Sequence, residues 1–226
     1  MQIITKSAVA IVLFAATVFA ADAPVEGDPT KITGAYGDAK AYSEQPVGKE
    51  YWADFTGTKL SGGVIFSPAS GNRGVKVEVK LSGLPSEGGP FTYHIHDQPV
   101  PADGNCTRTL AHLDPFIRGQ KVPCDPSRPQ SCEVGDLAGK HGKIPTDTNG
   151  TYTKTYDDLY FTLTQGEGSF IGNRSVVVHT NDTKRYACAN IKDFRSSNSD
   201  SSGNRFGKGI WGCGLGVAVG LKFLLV

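Results

Sequence analysis

Four of the chain's five histidines stand where one metal ion could be held. They are His94-x-His96, then His112, then His179 at the end of the run Val176-Val177-Val178-His179. Imidazole suits copper and zinc, and an all-nitrogen set without thiolate leans toward Cu(II). Side chains two apart in an extended strand share a face, so His94 and His96 project together if residues 91–96 form a strand. A single histidine would be read as a hydrogen-bonded core residue. The fifth histidine, His141, sits in Gly139-Lys140-His141-Gly142, which reads as a turn, and it is expected to face solvent or bond locally.

Strands have to position these rings, and the apolar pattern supplies them with a period of two. Val75, Val77, Val79 and Leu81 alternate with Lys76, Glu78 and Lys80, as in a half-buried antiparallel strand. Similar candidates are residues 51–60, 63–66, 91–96, 151–156, 160–164 and 175–179. Gly- and Pro-rich breaks separate them at 68–74, 84–90, 142–150 and 165–168. The fold class is therefore all-β: a Greek-key β-barrel or sandwich of about eight antiparallel strands with long functional loops. Residues 24–45 read as a lead-in without clear pattern. Residues 97–143 form a long, Pro-rich stretch that carries His112, and a loop of that length inside a domain is usually functional.

The ends give the address. Residues 1–20 read as a secretory signal: Lys6, then a mostly apolar run, then small residues at the cleavage positions. Residues 21–195 form the single folded domain. In residues 196–226 a small polar stretch and a spacer precede the mostly apolar tail 210–226, the order of a glycosylphosphatidylinositol (GPI) attachment signal. Asn198, Ser199 and Ser201 are the candidate attachment residues. A short transmembrane helix is the alternative, and Lys222 with the small residues of the tail suits it poorly.

Five cysteines follow the same logic, since Cys213 lies in the removable tail. Cys124 and Cys132 bracket a Pro-rich loop and are expected to pair locally, which leaves Cys106 for Cys188. Zinc ligation by these cysteines is the alternative, disfavoured by an oxidising compartment. Four sequons begin at Asn105, Asn149, Asn173 and Asn181. The charge is balanced, 23 Lys and Arg against 22 Asp and Glu, and offers no basic face for nucleic acid.

Taken in order, Tyr93-His94-Ile95-His96, Cys106, His112-Leu113-Asp114-Pro115, Glu133-Val134-Gly135-Asp136-Leu137, Val178-His179 and Arg185-Tyr186-Ala187-Cys188 resemble the copper/zinc superoxide dismutases. The likeness covers roughly residues 75–191 and is similar, more narrowly, to the fungal extracellular copper-only branch, commonly lipid-anchored at the cell surface. Two departures carry that distinction. The zinc-containing members supply three histidines and an aspartate to zinc, whereas here only His112 and Asp136 match and Glu133 replaces a histidine. Between His179 and Arg185 the long charged loop of those enzymes is missing, which implies a more open approach to copper.

The resemblance implies an enzyme holding one copper and no zinc on His94, His96, His112 and His179, with superoxide as substrate and dioxygen and hydrogen peroxide as products. His112 is then the ligand expected to let go on reduction. Metal-bound histidines usually give their second ring proton to a carboxylate or carbonyl. Glu133 is the expected partner of His112, with Asp136 in support, and Arg185 corresponds to the family's anion-docking arginine. A secreted, GPI-anchored monomer at the plasma membrane or cell wall is expected. The competing readings are a surface protein that binds copper without turnover, and a structural adhesin.

Overall fold

A computed structural model describes residues 36–194 except Asp147 and Asn149. Seven strands form one antiparallel sheet: β1 (Tyr51–Asp54), β2 (Ser61–Pro68), β3 (Val75–Ser82), β4 (Thr92–His96), β5 (Thr151–Asp158), β6 (Ser175–His179) and β7 (Arg185–Asp193), in the order β4-β6-β7-β1-β2-β3-β5. Strands that jump between the sheet's two edges give the Greek-key path, and the sheet curls into a half-barrel. The alternation in β3 works as its pattern predicts: Val75, Val77, Val79 and Leu81 are buried. They join Phe55, Phe66, Phe91, Tyr93, Ile95, Phe161 and Ile191 in a single core cluster. Full burial of one such aliphatic side chain is worth about 1.5–3 kcal/mol.

β4 has hydrogen-bonded strand neighbours on one side only, and short pieces of loop finish its other edge. Ile144 bridges Phe91, Gly135 accepts from Ile95, and His112 bridges His96. Gly135 approaches so closely that a Cβ there would run into the Ile95 carbonyl and the Leu113 backbone. Only glycine lets the loop join this edge. The loop 97–143 is otherwise built from single turns and one short helix, α1 (Leu137–His141), so His141 ends a helix instead of lying in a turn.

Other sequence expectations change as well, and the strand expected over 51–60 ends at Asp54. Residues 160–164 alternate like a strand but form an irregular segment, buried at 161–163, with one isolated bridge, Thr162 to Phe170. Their backbone groups are taken up elsewhere: Leu163 N–H donates to Gln45 Oε1 (2.9 Å) and Thr162 N–H to Ser169 O (3.1 Å). The described part of the lead-in is packed structure, with Ala39, Tyr42 and Gln45 buried. Ala39 N–H donates to Gln130 O (2.7 Å) and Tyr42 N–H to Leu159 O (2.8 Å). No helix among the described residues is long and apolar enough to cross a membrane. The expected leader (1–20) and the attachment candidates Asn198, Ser199 and Ser201 lie outside the described residues.

Candidate metal centre

Register brings the strand-borne residues together. In the β4–β6 ladder Thr92 faces His179, His94 faces Val177 and His96 faces Ser175. Directly opposed residues share a face, so the two β4 histidines and His179 point the same way. A bulge at Val178/His179 sets His179 opposite Arg185 of β7. His112 enters from the loop through its bridge to His96. One ring nitrogen from each of His94, His96, His112 and His179 falls within 4.8 Å of all the others.

The hydrogen bonds fix which nitrogen that is. His96 Nδ1 lies 2.9 Å from Leu110 O, and His179 Nδ1 lies 3.1 Å from Thr183 O. A carbonyl can only accept, so both Nδ1 atoms carry the proton and both Nε2 atoms present a lone pair. Those two Nε2 atoms are 3.2 Å apart. His112 Nδ1 meets Glu133 Oε2 at 2.6 Å, leaving its Nε2 bare. His94 turns the other way: its Nε2 lies 3.4 Å from Asp136 Oδ1, and its Nδ1 is buried with no hydrogen-bond partner. Four rings are thus each tied to an oxygen on one side and bare on the other, the arrangement usual for metal-bound histidines.

Burial disfavours a charge on three of the rings. Desolvation, followed by the neighbouring histidines, holds His94 and His96 well below the usual imidazole range. His179 falls to about 4, again mainly through desolvation. Converging lone pairs without protons repel one another in a buried site, and a cation among them removes that repulsion. The donor set therefore fits a metal that prefers imidazole.

Glu133 is buried, and desolvation raises its carboxyl above the usual range while the bond from His112 pulls it back. Asp136 takes a part the sequence reading did not separate: it faces His94 and caps α1, accepting from Gly139 N–H at 2.7 Å. A small cavity beside them is lined by His112, Glu133, Asp136 and the Cys124–Cys132 bridge.

The second bridge, Cys106–Cys188, has a Cα–Cα distance of 5.7 Å and ties the turn before His112 to β7. Arg185 reinforces the tie: its Nη1 donates to Cys106 O (2.6 Å) and Thr109 Oγ1 (2.8 Å), and its Nη2 to Leu110 O (2.5 Å). Leu110 O therefore accepts from both Arg185 and His96. Leu110 has φ +59°, costly for a side chain with a Cβ. Backbone acceptors such as Leu110 O and Thr183 O carry no residue signature, and sequence reasoning did not find them.

His141 neither faces solvent nor bonds within its own turn: its Nε2 lies 2.8 Å from Asp158 Oδ2 and its ring stacks on Tyr156, both in β5. Of the sequons, Asn105, Asn173 and Asn181 are exposed. Asn105 also caps a turn through Thr107 N–H, and Asn181 Nδ2 donates to Gly89 O. Asn149 lies outside the described residues.

The chain is similar to known proteins. The family model for copper/zinc superoxide dismutase matches residues 60–211. The cell surface Cu-only superoxide dismutase of Arthroderma benhamiae is 39% identical over 182 residues, 68% of this chain and 49% of that protein. Cell surface Cu-only superoxide dismutase 5 of Candida albicans is 41% identical over 158 residues, 69% of this chain and 66% of that protein. The chain thus spans about half of one relative's length and about two thirds of the other's. The Cu(II) structure of Candida albicans superoxide dismutase 5 superposes with a TM-score of 0.58 at 41% identity, covering 66% of this chain and 94% of that one. The chain belongs to the copper/zinc superoxide dismutase family.

Proposed function

We propose that this protein is an extracellular superoxide dismutase working at one copper held by His94, His96, His112 and His179, without zinc. The observation that carries the reading is the convergence of four bare imidazole nitrogens, with His96 and His179 Nε2 only 3.2 Å apart. Bound copper supplies the one-electron redox chemistry that turns superoxide into dioxygen and hydrogen peroxide. The chain's own residues do the rest. Leu110 O, Thr183 O, Glu133 and Asp136 fix the four ring orientations. Arg185, the candidate docking group for the anionic substrate, is anchored to the turn 106–110 and keeps a permanent positive charge near the rings.

Absence of zinc is supported by the neighbouring cavity. Its two sulfurs are joined to each other, Glu133 is engaged with His112, and Asp136 is engaged with α1 and His94. A closed zinc site needs four good donors, and with the sulfurs joined and His112 given to the copper set this wall offers only two carboxylates, each already bonded through one oxygen.

The cell surface is the proposed location, in keeping with the cell surface relatives. Attachment through a GPI anchor at Asn198, Ser199 or Ser201, a monomeric state, and glycans at any of Asn105, Asn149, Asn173 and Asn181 belong to the same proposal and rest on the sequence signals. Metal analysis of the secreted protein alongside superoxide consumption tests the central reading. Stoichiometric copper with activity is expected. Copper without turnover would leave a copper-binding surface protein, and neither would remove the metal centre altogether.

A further inference from the structure

The least expected group in the molecule is a fully buried lysine. The Lys140 and Asp158 side chains are both 0% exposed, with Nζ 2.6 Å from Oδ2. His141 Nε2 shares the same Oδ2 at 2.8 Å, and Tyr160 N–H donates to Oδ1 at 2.8 Å. Burying an ammonium and a carboxylate costs several kcal/mol each, and apolar residues of similar volume often do as well or better for stability. Stability is therefore a poor reason for this cluster to be here, so the lysine's contacts beyond the pair matter: it lies over the Tyr160 and Phe161 rings and reaches one backbone carbonyl.

Lys140 Nζ also donates to Val134 O at 2.8 Å. Val134 sits in the turn that runs from Glu133, on His112, to Asp136, facing His94. Asp158 ends β5, at the edge of the sheet opposite β4. The chain of contacts thus runs from the far edge of the half-barrel, through α1, into the turn bearing both ring-orienting carboxylates. Gly135 on the β4 edge, the Cys124–Cys132 bridge and the burial of Val134 hold the same turn from other sides.

We infer that Lys140, held by Asp158 and His141, is a positioning residue for the metal centre: by gripping the Val134 carbonyl it sets where Glu133 meets His112 and Asp136 meets His94. The inference rests on the copper reading above. It gives the fifth histidine a part outside the ligand set.

The test uses the secreted full-length protein and compares wild type with three variants. Lys140→Met/Asp158→Asn removes both charges together and leaves no orphan ion. His141→Phe keeps the stack on Tyr156 but drops the bond to Asp158. Val79→Ala opens a remote core cavity and controls for stability alone. Copper affinity, the visible ligand-field band and the Cu(II) electron paramagnetic resonance spectrum are read beside thermal melting.

The double variant is expected to bind copper about tenfold more weakly, as for loss of an outer partner, with a shifted band and altered hyperfine splitting. His141→Phe should shift them in the same direction by less. Val79→Ala should melt earlier with an unchanged spectrum. Copper spectra of both cluster variants that superimpose on wild type overturn the inference, whatever happens to stability. If the double variant does not fold, His141→Phe decides: a shifted spectrum supports the role and an unchanged one ends it. A wild-type protein lacking the copper signal overturns the copper reading itself.

Discussion

Half of the centre is built on strands and half on a loop, and the two halves are held by different physics. His94, His96, His179 and Arg185 are placed by ladder hydrogen bonds, so their mutual geometry follows from register. His112, Glu133 and Asp136 come from the stretch 97–143, which lacks strand pairing apart from single bridges. That side is fastened by two disulfides, the guanidinium of Arg185 on a turn, and the Lys140–Asp158 pair. A ladder spreads its strength over many similar bonds, while the loop depends on a few fasteners of unlike kind. Single substitutions should therefore act on the strand side through the ligands themselves and on the loop side through their supports.

The sharpest break comes from the strand side. His96→Ala or His179→Ala should abolish stoichiometric copper and turnover while the far-ultraviolet circular dichroism stays that of the sheet, since the β4–β6 ladder does not need the rings. Loss of the sheet signal in either variant would show the two halves to be interdependent.

Next in size is the long bridge. Replacing Cys106 and Cys188 together with serine should lower unfolding free energy by about 4–5 kcal/mol in the chain-entropy account, against about 2–3 for Cys124 and Cys132. Denaturant titration of the metal-free proteins measures both. Equal losses would mean that local packing, and not loop length, sets what each fastener contributes.

Glu133→Ala sharpens the loop half. It frees His112 Nδ1 without touching a ligand nitrogen, and should weaken copper about ten- to a hundredfold with the fold retained. Competition with a coloured chelator reads the change, and unaltered affinity would take Glu133 out of the centre.

The mildest contrast is in pH. The lowered values of His94, His96 and His179 mean that between about 6.5 and about 4 the unfolded chain binds protons the folded rings refuse. Metal-free stability is thus fully present above about pH 6.5 and falls as pH drops toward about 4. The raised carboxyl of Glu133 works in the opposite sense and blunts the loss. Melting of the metal-free protein from pH 7 to 4 should show the decline, and His179→Ala should flatten it.

The strand half was the more legible from sequence. Alternation located β3, β4, β5 and β6 to within a residue or two, because one buried face per strand forces it. Alternation overran at β1, which ends at Asp54, and did not find β7; at residues 160–164 it failed because the backbone found partners in the Gln45 side chain more than a hundred residues away. No local pattern reports such a bond. In the loop half the residues were recognisable but their pairings were only partly so. Glu133 on His112 was anticipated, whereas Asp136 toward His94 and Lys140 on Val134 O depend on where α1 lands.

The sequence alone determined the four candidate ligands, the strand period and the cysteine pairing, since each is written in residue type and spacing. Tertiary structure decided which ring nitrogen is bare, which carboxylate serves which histidine, and that a buried lysine on α1 links the turn beside the centre to Asp158 at the far edge of the sheet. Those facts hang on backbone carbonyls and on contacts between distant segments. A carbonyl is chemically the same at every residue, so only the fold can say which one a side chain meets.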